Sequence, residues 1–179
     1  MIAAHEFISL DGVFENPAWT APFGFDPAMG ETISGIVSRS TKILLGRTTF
    51  EMFAPAWSTR TADDDPGAPF FNDTEKLVVT SGTPSVEWAN STVIGPYDPA
   101  AIARIKDETD GDIYISGSGT LVRALIADGL LDELHLFMYP ITLGAGQRLW
   151  ADGTEHTLRL NDSDVYANGV VHLNYGPAA

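Results

Sequence analysis

Two short stretches hold the residues with the most chemistry to offer. Gly46-Arg47-Thr48-Thr49 follows the apolar run Lys42-Ile43-Leu44-Leu45, and Gly117-Ser118-Gly119-Thr120 follows Asp112-Ile113-Tyr114-Ile115-Ser116. A buried strand that turns directly into a helix leaves unpaired main-chain N–H groups at the helix start, where an anion is favoured. The first stretch adds two hydroxyls and a guanidinium whose planar fork suits a phosphate. In the second, glycines let the backbone come close to a pyrophosphate. It carries only part of the dinucleotide fingerprint, however, with Val122 where a third glycine belongs. Taken singly, each stretch reads first as a tight turn. Two of them at strand ends of one sheet point to an anion-binding edge.

Other chemistries find no support. His5, His135, His156 and His172 lack metal-ligand spacing and sit in or beside predicted strands, so they read as structural and no metal site is predicted. With no cysteine there is no disulfide, thiolate metal site or Cys nucleophile, which fits a reducing interior. No phosphate-loop lysine motif and no nucleophile-elbow serine occur. Asp63-Asp64-Asp65 reads as a solvated bend within a loop spanning 55–69.

The elements that would position the two turns follow from periodicity and punctuation. Ile2 to Leu10 is a buried strand stopped by Asp11-Gly12. Residues 13–25 mix Pro17, Pro22 and Gly24 with Phe14, Trp19, Phe23 and Phe25, a loop that wants burial and covers a pocket. Asp26-Pro27 caps a helix whose apolar positions Met29, Ile33, Ile36 and Val37 run to about Ser40, and Asp98-Pro99 repeats the signal. Strands are predicted at 42–46, 76–80, 92–94, 112–116 and 133–139. A helix is expected after Gly46 and another over 120–128, the latter closed by Gly129. A hairpin around Asn168-Gly169 ends the chain. The alternation predicts a single α/β domain over 1–179, with a mostly parallel sheet and antiparallel pairing at its C-terminal edge.

The composition bounds the partners. The 179 residues carry 10 Lys plus Arg against 24 Asp plus Glu, a net charge of −14. That removes the basic surface that nucleic acid or an anionic membrane requires. At 44% hydrophobic and 19% charged, a sizeable core is available. There is no signal-peptide pattern and no membrane-length apolar run, so a cytoplasmic setting is expected.

Taken together and in order, five segments resemble the dihydrofolate reductase superfamily over nearly the whole chain. They are Ile8-Ser9-Leu10-Asp11-Gly12, Leu45 to Glu51, Val78-Val79-Thr80-Ser81, Ile115 to Gly119, and Asp132 to Gly146. The closest resemblance is to the reductase domain of the bacterial riboflavin-biosynthesis deaminase/reductase, the RibD C-terminal domain. The zinc deaminase signature of that bifunctional enzyme is absent. The resemblance implies a three-layer fold with an eight-stranded sheet, NADPH as cofactor, and a homodimer. It places Gly46, Arg47, Thr48 and Thr49 against the cofactor phosphates, and Thr80 and Ser81 beside the adenosine ribose and its 2′-phosphate. Gly117, Ser118, Gly119 and Thr120 fall under the pyrophosphate. Ser9 to Gly12 begin the loop near the nicotinamide, which puts Leu10 against the cofactor and Asp11 toward the substrate.

The implied activity is hydride transfer to a small pterin-like or pyrimidine-like heterocycle, as in dihydrofolate reductase or the riboflavin-pathway uracil reductase. The alternative is a protein of this fold that binds nucleotide or ligand without chemistry. Hydride transfer to a C=N or C=O bond needs a proton for the other atom. Asp26 stands where the family's acid would, on the Met29/Ile33/Val37 side of its helix, and both capping and catalysis fit it. Trp19 and Phe23, with Phe14 and Phe25, suit either an apolar substrate wall or a loop anchor. A folate tail or a ribose phosphate would need a cation, and the candidates are Arg60, Arg123 and Arg148.

Overall fold

The computed structural model describes residues 1–150 and 152–178. The strands are β1 (Ile2–Ser9), β2 (Ser40–Gly46), β3 (Glu75–Val79), β4 (Ser91–Gly95), β5 (Asp112–Ser116), β6 (Glu133–Tyr139), β7 (Leu158–Val165) and β8 (Val171–Pro177). They form one sheet in the order β4-β3-β2-β5-β1-β6-β8-β7. The pairs from β4 to β6 are parallel, while β8 runs antiparallel to both β6 and β7. The helices are α1 (Pro27–Ser38), α2 (Arg47–Trp57), α3 (Ala68–Asp73), α4 (Pro99–Glu108) and α5 (Gly119–Ala127), with a short 3-10 segment at Pro17–Phe23. This is the eight-stranded, three-layer fold expected from the sequence.

Alternation along the parallel strands separates two cores. On one face Ile2, Ala4, Ile8, Leu44, Ile113 and Ile115 pack under α4 and α5. On the other, Ala3, Ile43, Leu45, Val78 and Tyr114 meet α2 and α3, and Phe137 and Tyr139 meet Met29 and Ile33 of α1. Strands covered on both faces must be apolar at nearly every position, which is why they read as continuous runs. Among the described residues no helix is long and apolar enough to cross a membrane.

One stretch departs from the sequence reading. The predicted loop over 55–69 is helical at both ends, because α2 continues through Pro55 to Trp57 and α3 begins at Ala68. Tertiary contacts outweigh the proline signal here. Trp57 stacks on Phe71 with centroids 4.2 Å apart, and the Asn72 side chain donates to the Trp57 and Arg60 carbonyls. Lys76, fully buried, donates from Nζ to the carbonyls of Phe71, Asn72 and Thr74, and so satisfies the C-terminal end of α3 with a cation.

Asp11 fastens the loop after β6 to the end of β1. Its carboxylate accepts from the Ser9 hydroxyl at 2.6 Å and from the amides of Leu143 and Gly144 at 3.0 and 2.8 Å. The Ser9 hydroxyl first, then the two amides, lower its carboxyl from 3.8 to about 2. A carboxyl lowered by folding adds stability that is complete above its unfolded value and is lost as pH falls through its folded one. Asp11→Asn is therefore expected to lower the melting temperature near neutrality, with the gap to wild type closing between about pH 4 and pH 2. Melting curves at several pH values check this, and a pH-independent gap would contradict it.

Candidate active site

A cleft of about 1080 Å3 opens at the C-terminal ends of β1, β2 and β5. Both turns singled out in the sequence lie on it. Arg47, Thr48 and Thr49 begin α2 directly after β2, and Gly117-Ser118 leads from β5 into α5. The two turns are bound to each other. The Gly46 amide donates to Ser118 Oγ at 3.0 Å, and the Ser118 amide donates to Thr49 Oγ1 at 2.9 Å. Gly117 and Ser118 both have φ of 61°, and in that left-handed turn their amides are spent inside the protein, on the His5 carbonyl and on Thr49 Oγ1, so the amides left for an anion are those at the start of α5. Glycine is needed at 119 for a different reason, since a Cβ there would come within 2.5 Å of the Phe14 ring.

Arg47 is half exposed at the rim. Its Nε donates to Glu51 at 2.9 Å, and its Nη1 lies 3.1 Å from where a Cβ on Gly82 would stand. The guanidinium thus reaches the turn that follows β3. Thr80 and Ser81 open that turn, where Thr80 Oγ1 accepts from the Gly82 amide. Across the strand ends Val79, Tyr97, Leu121 and Ala124 add an apolar surface on the α5 side.

The other half of the cleft lies between α1 and α2. Ile33 and Val37 form one wall, Phe53 and Trp57 the other, and Phe70 of α3 closes the end. Its floor is polar but neutral. Tyr114 Oη lies 2.7 Å from His5 Nδ1, and Ser116 Oγ lies 3.5 Å from His5 Nε2. Burial, with His135 and His172 nearby, lowers the His5 imidazole to about 3, and burial raises the Tyr114 phenol. Glu6, also at the cleft, is 2% exposed, and its Oε1 has no hydrogen-bond partner among the described residues. Burial raises its carboxyl well above the usual range, so the group holds its proton.

Of the remaining residues singled out in the sequence, Phe14 and Phe25 line the cleft and the others lie off it. Asp26 caps α1, one oxygen accepting from the Ala28 amide at 2.8 Å and the other from Ala167 at 3.0 Å. Trp19 and Phe23 pack edge-on against Tyr139, with centroids 5.6 and 5.5 Å away. Leu10 is exposed and Asp11 is committed to the Leu143-Gly144 amides. Of the arginines weighed for an anionic tail, Arg60 lies over Trp57 and faces Asp65, while Arg123 and Arg148 bind main-chain carbonyls. His135 and His172 stack within the sheet and link Glu133 to Asp164.

Sequence reasoning missed the floor and walls. An acid and a histidine inside an otherwise apolar strand, Ile2 to Ser9, were the available signal for His5 and Glu6. Nothing local marks Tyr114, Trp57 or Phe70 as cleft residues.

Residues 1–172 match the model of the RibD C-terminal domain. The uncharacterized protein YyaP of Bacillus subtilis (strain 168) is 25% identical over 172 residues, 94% of this chain and 90% of that one. Among solved structures, a Shewanella sp. PV-4 protein named for riboflavin biosynthesis superposes with a TM-score of 0.80 at 16% identity, over 99% of each chain. The dihydrofolate reductase of Enterococcus faecalis, complexed with NADP(H), gives 0.63 at 16% identity, over 100% of this chain and 97% of that one. These superpositions show the fold, and the sequence match shows the family. The chain belongs to the RibD C-terminal domain family and has a dihydrofolate reductase-like fold.

Proposed function

We propose that this protein is an NADPH-dependent reductase that transfers a hydride to a small pterin-like or pyrimidine-like heterocycle. The observation that carries the reading is the joined pair of turns, Gly46–Thr49 and Gly117–Thr120, facing one cleft with Arg47 at its rim. The amides at the two helix starts, Arg47 to Thr49 and Gly119-Thr120, would receive the pyrophosphate. Arg47, whose guanidinium reaches the turn opened by Thr80 and Ser81, would meet a ribose 2′-phosphate there, and Val79, Tyr97 and Leu121 would give an apolar seat for an adenine.

Bound NADPH would supply the hydride, and NADPH, a proton and a C=N or C=O bond would become NADP+ and the reduced bond. The proton must reach the substrate's heteroatom. Asp26, with both oxygens held by main-chain amides away from the cleft, is best supported as a helix cap. Among cleft groups, the Tyr114 hydroxyl backed by His5 is placed to pass a proton on, since the pair links an O–H to a second titratable ring. If NADPH binds but is not oxidised with any heterocycle offered, the alternative of a ligand-binding protein without chemistry is favoured.

NADPH at millimolar concentration is expected to raise the melting temperature and quench tryptophan fluorescence, because binding to the native state stabilises it. Arg47→Ala should weaken NADPH far more than NADH. Absence of any stabilisation by NADPH would overturn the reading, and equal losses for the two cofactors would take the 2′-phosphate from Arg47. A homodimer and a cytoplasmic setting belong to the same proposal. The exposed Leu160 and Val165 on edge strand β7 offer apolar surface for a second copy. Light scattering is expected to report twice the mass of one chain, and a one-chain mass would remove the dimer.

A further inference from the structure

The proposed cofactor end uses Arg47, and what remains of the cleft bears on the substrate. Among the described residues lining the cleft, Arg47 is the one lysine or arginine, whereas Glu6, Glu15 and Asp65 are acids. Arg60 is not among the lining residues: its guanidinium lies 5.0 Å over the Trp57 ring and is paired with Asp65 at 4.0 Å, so its charge is already engaged by an acid. A phosphate or carboxylate entering between α1 and α2 would lose its hydration, find no cation, and meet Asp65 at the rim. The net charge of −14 works in the same direction.

The walls and floor specify what would fit instead. Phe53, Trp57 and Phe70 present aromatic surface, and Ile33 and Val37 face them from α1, a slot for a flat ring. The floor then offers hydrogen bonds without charge. Tyr114 Oη is paired to His5 Nδ1, and Ser116 Oγ sits within 3.5 Å of His5 Nε2. An unprotonated imidazole, a phenol and an alcohol can read a carbonyl or ring C=N–H edge, but they cannot neutralise an anion. His5 stays neutral because it is buried, and so adds no positive charge to the floor.

We infer that the substrate of this protein is an uncharged, flat, largely apolar ring whose carbonyl or C=N edge meets Tyr114, His5 and Ser116, and that it bears no phosphate or carboxylate tail. This rests on the assignment of the other end of the cleft to NADPH. It separates the chain from a substrate with a ribose phosphate or a folate tail, each of which needs a cation that this part of the cleft lacks.

Matched pairs of rings differing in one negative charge test it. Naphthoquinone against naphthoquinone sulfonate, and pterin against carboxypterin, are titrated into the full chain with and without saturating NADP+, following tryptophan quenching. Each neutral ring is expected to bind at least about 10-fold more tightly than its anionic partner, because the anion is desolvated without a counter-charge. In Val37→Arg, which sets a cation in the wall, the gap should close or reverse. The inference is overturned if the anionic members bind as well as the neutral ones, or if neither neutral ring binds at millimolar concentration. Failure of NADP+ itself to bind is read separately, and it would remove the cofactor assignment while the ring titrations without cofactor still decide the charge preference.

Discussion

The hydrogen bonds between the starts of α2 and α5 are the constraint on which the rest of the molecule turns. The Gly46 amide on Ser118 Oγ and the Ser118 amide on Thr49 Oγ1 tie together two strand ends separated by about seventy residues of chain. Because β2 and β5 are parallel neighbours, both helices leave from the same edge of the sheet, and their unpaired amides face the same space. The left-handed Gly117-Ser118 pair is what allows Ser118 to turn its amide back to Thr49 while α5 starts on the next residue. With those ends fixed, the α1 and α2 walls stand apart over β1 and β5, and the cleft between them follows.

Charge is distributed to match. A chain with 24 acids and 10 lysines plus arginines cannot attract an anion by its overall field. In the proposed reading, anion affinity comes from main-chain amides at two helix starts and from Arg47, which is held by Glu51, a carboxylate that also accepts from the Ser85 amide and hydroxyl. Elsewhere in the cleft, burial keeps titratable groups neutral: Glu6 retains its proton and His5 gives its own up. One end of the cleft is thus chemically suited to phosphates and the other to an uncharged ring. Among the described residues the one buried lysine or arginine, Lys76, closes the main-chain end of α3.

The parts of this arrangement legible in the sequence are those whose physics is local. Apolar runs marked the covered strands, Asp26-Pro27 and Asp98-Pro99 marked two helix starts by the caps that the structure shows at 2.8 and 3.0 Å, and glycines marked the turns. The mostly parallel sheet and its antiparallel C-terminal end followed from alternation and the Asn168-Gly169 turn, whereas the order of the strands did not. What escaped depends on distant partners. His5 meets Tyr114 across 109 positions, and the second partner of Asp26, Ala167, is 141 positions away, so neither the floor of the cleft nor the full engagement of that carboxylate has a local signature. Pro55 and the acids that follow it gave a loop signal, while the stacking of Trp57 on Phe71 made wall and helix of the same stretch.

The central claim is that the joined turns hold a dinucleotide's phosphates beside a neutral substrate slot. A crystal structure of the protein with NADP+ tests it most directly. The account predicts the pyrophosphate on the amides of residues 47–49 and 119–120, the 2′-phosphate within reach of Arg47, and the nicotinamide directed toward the Tyr114–His5 floor. A cofactor bound elsewhere on the chain, or phosphates that touch neither turn, would contradict it.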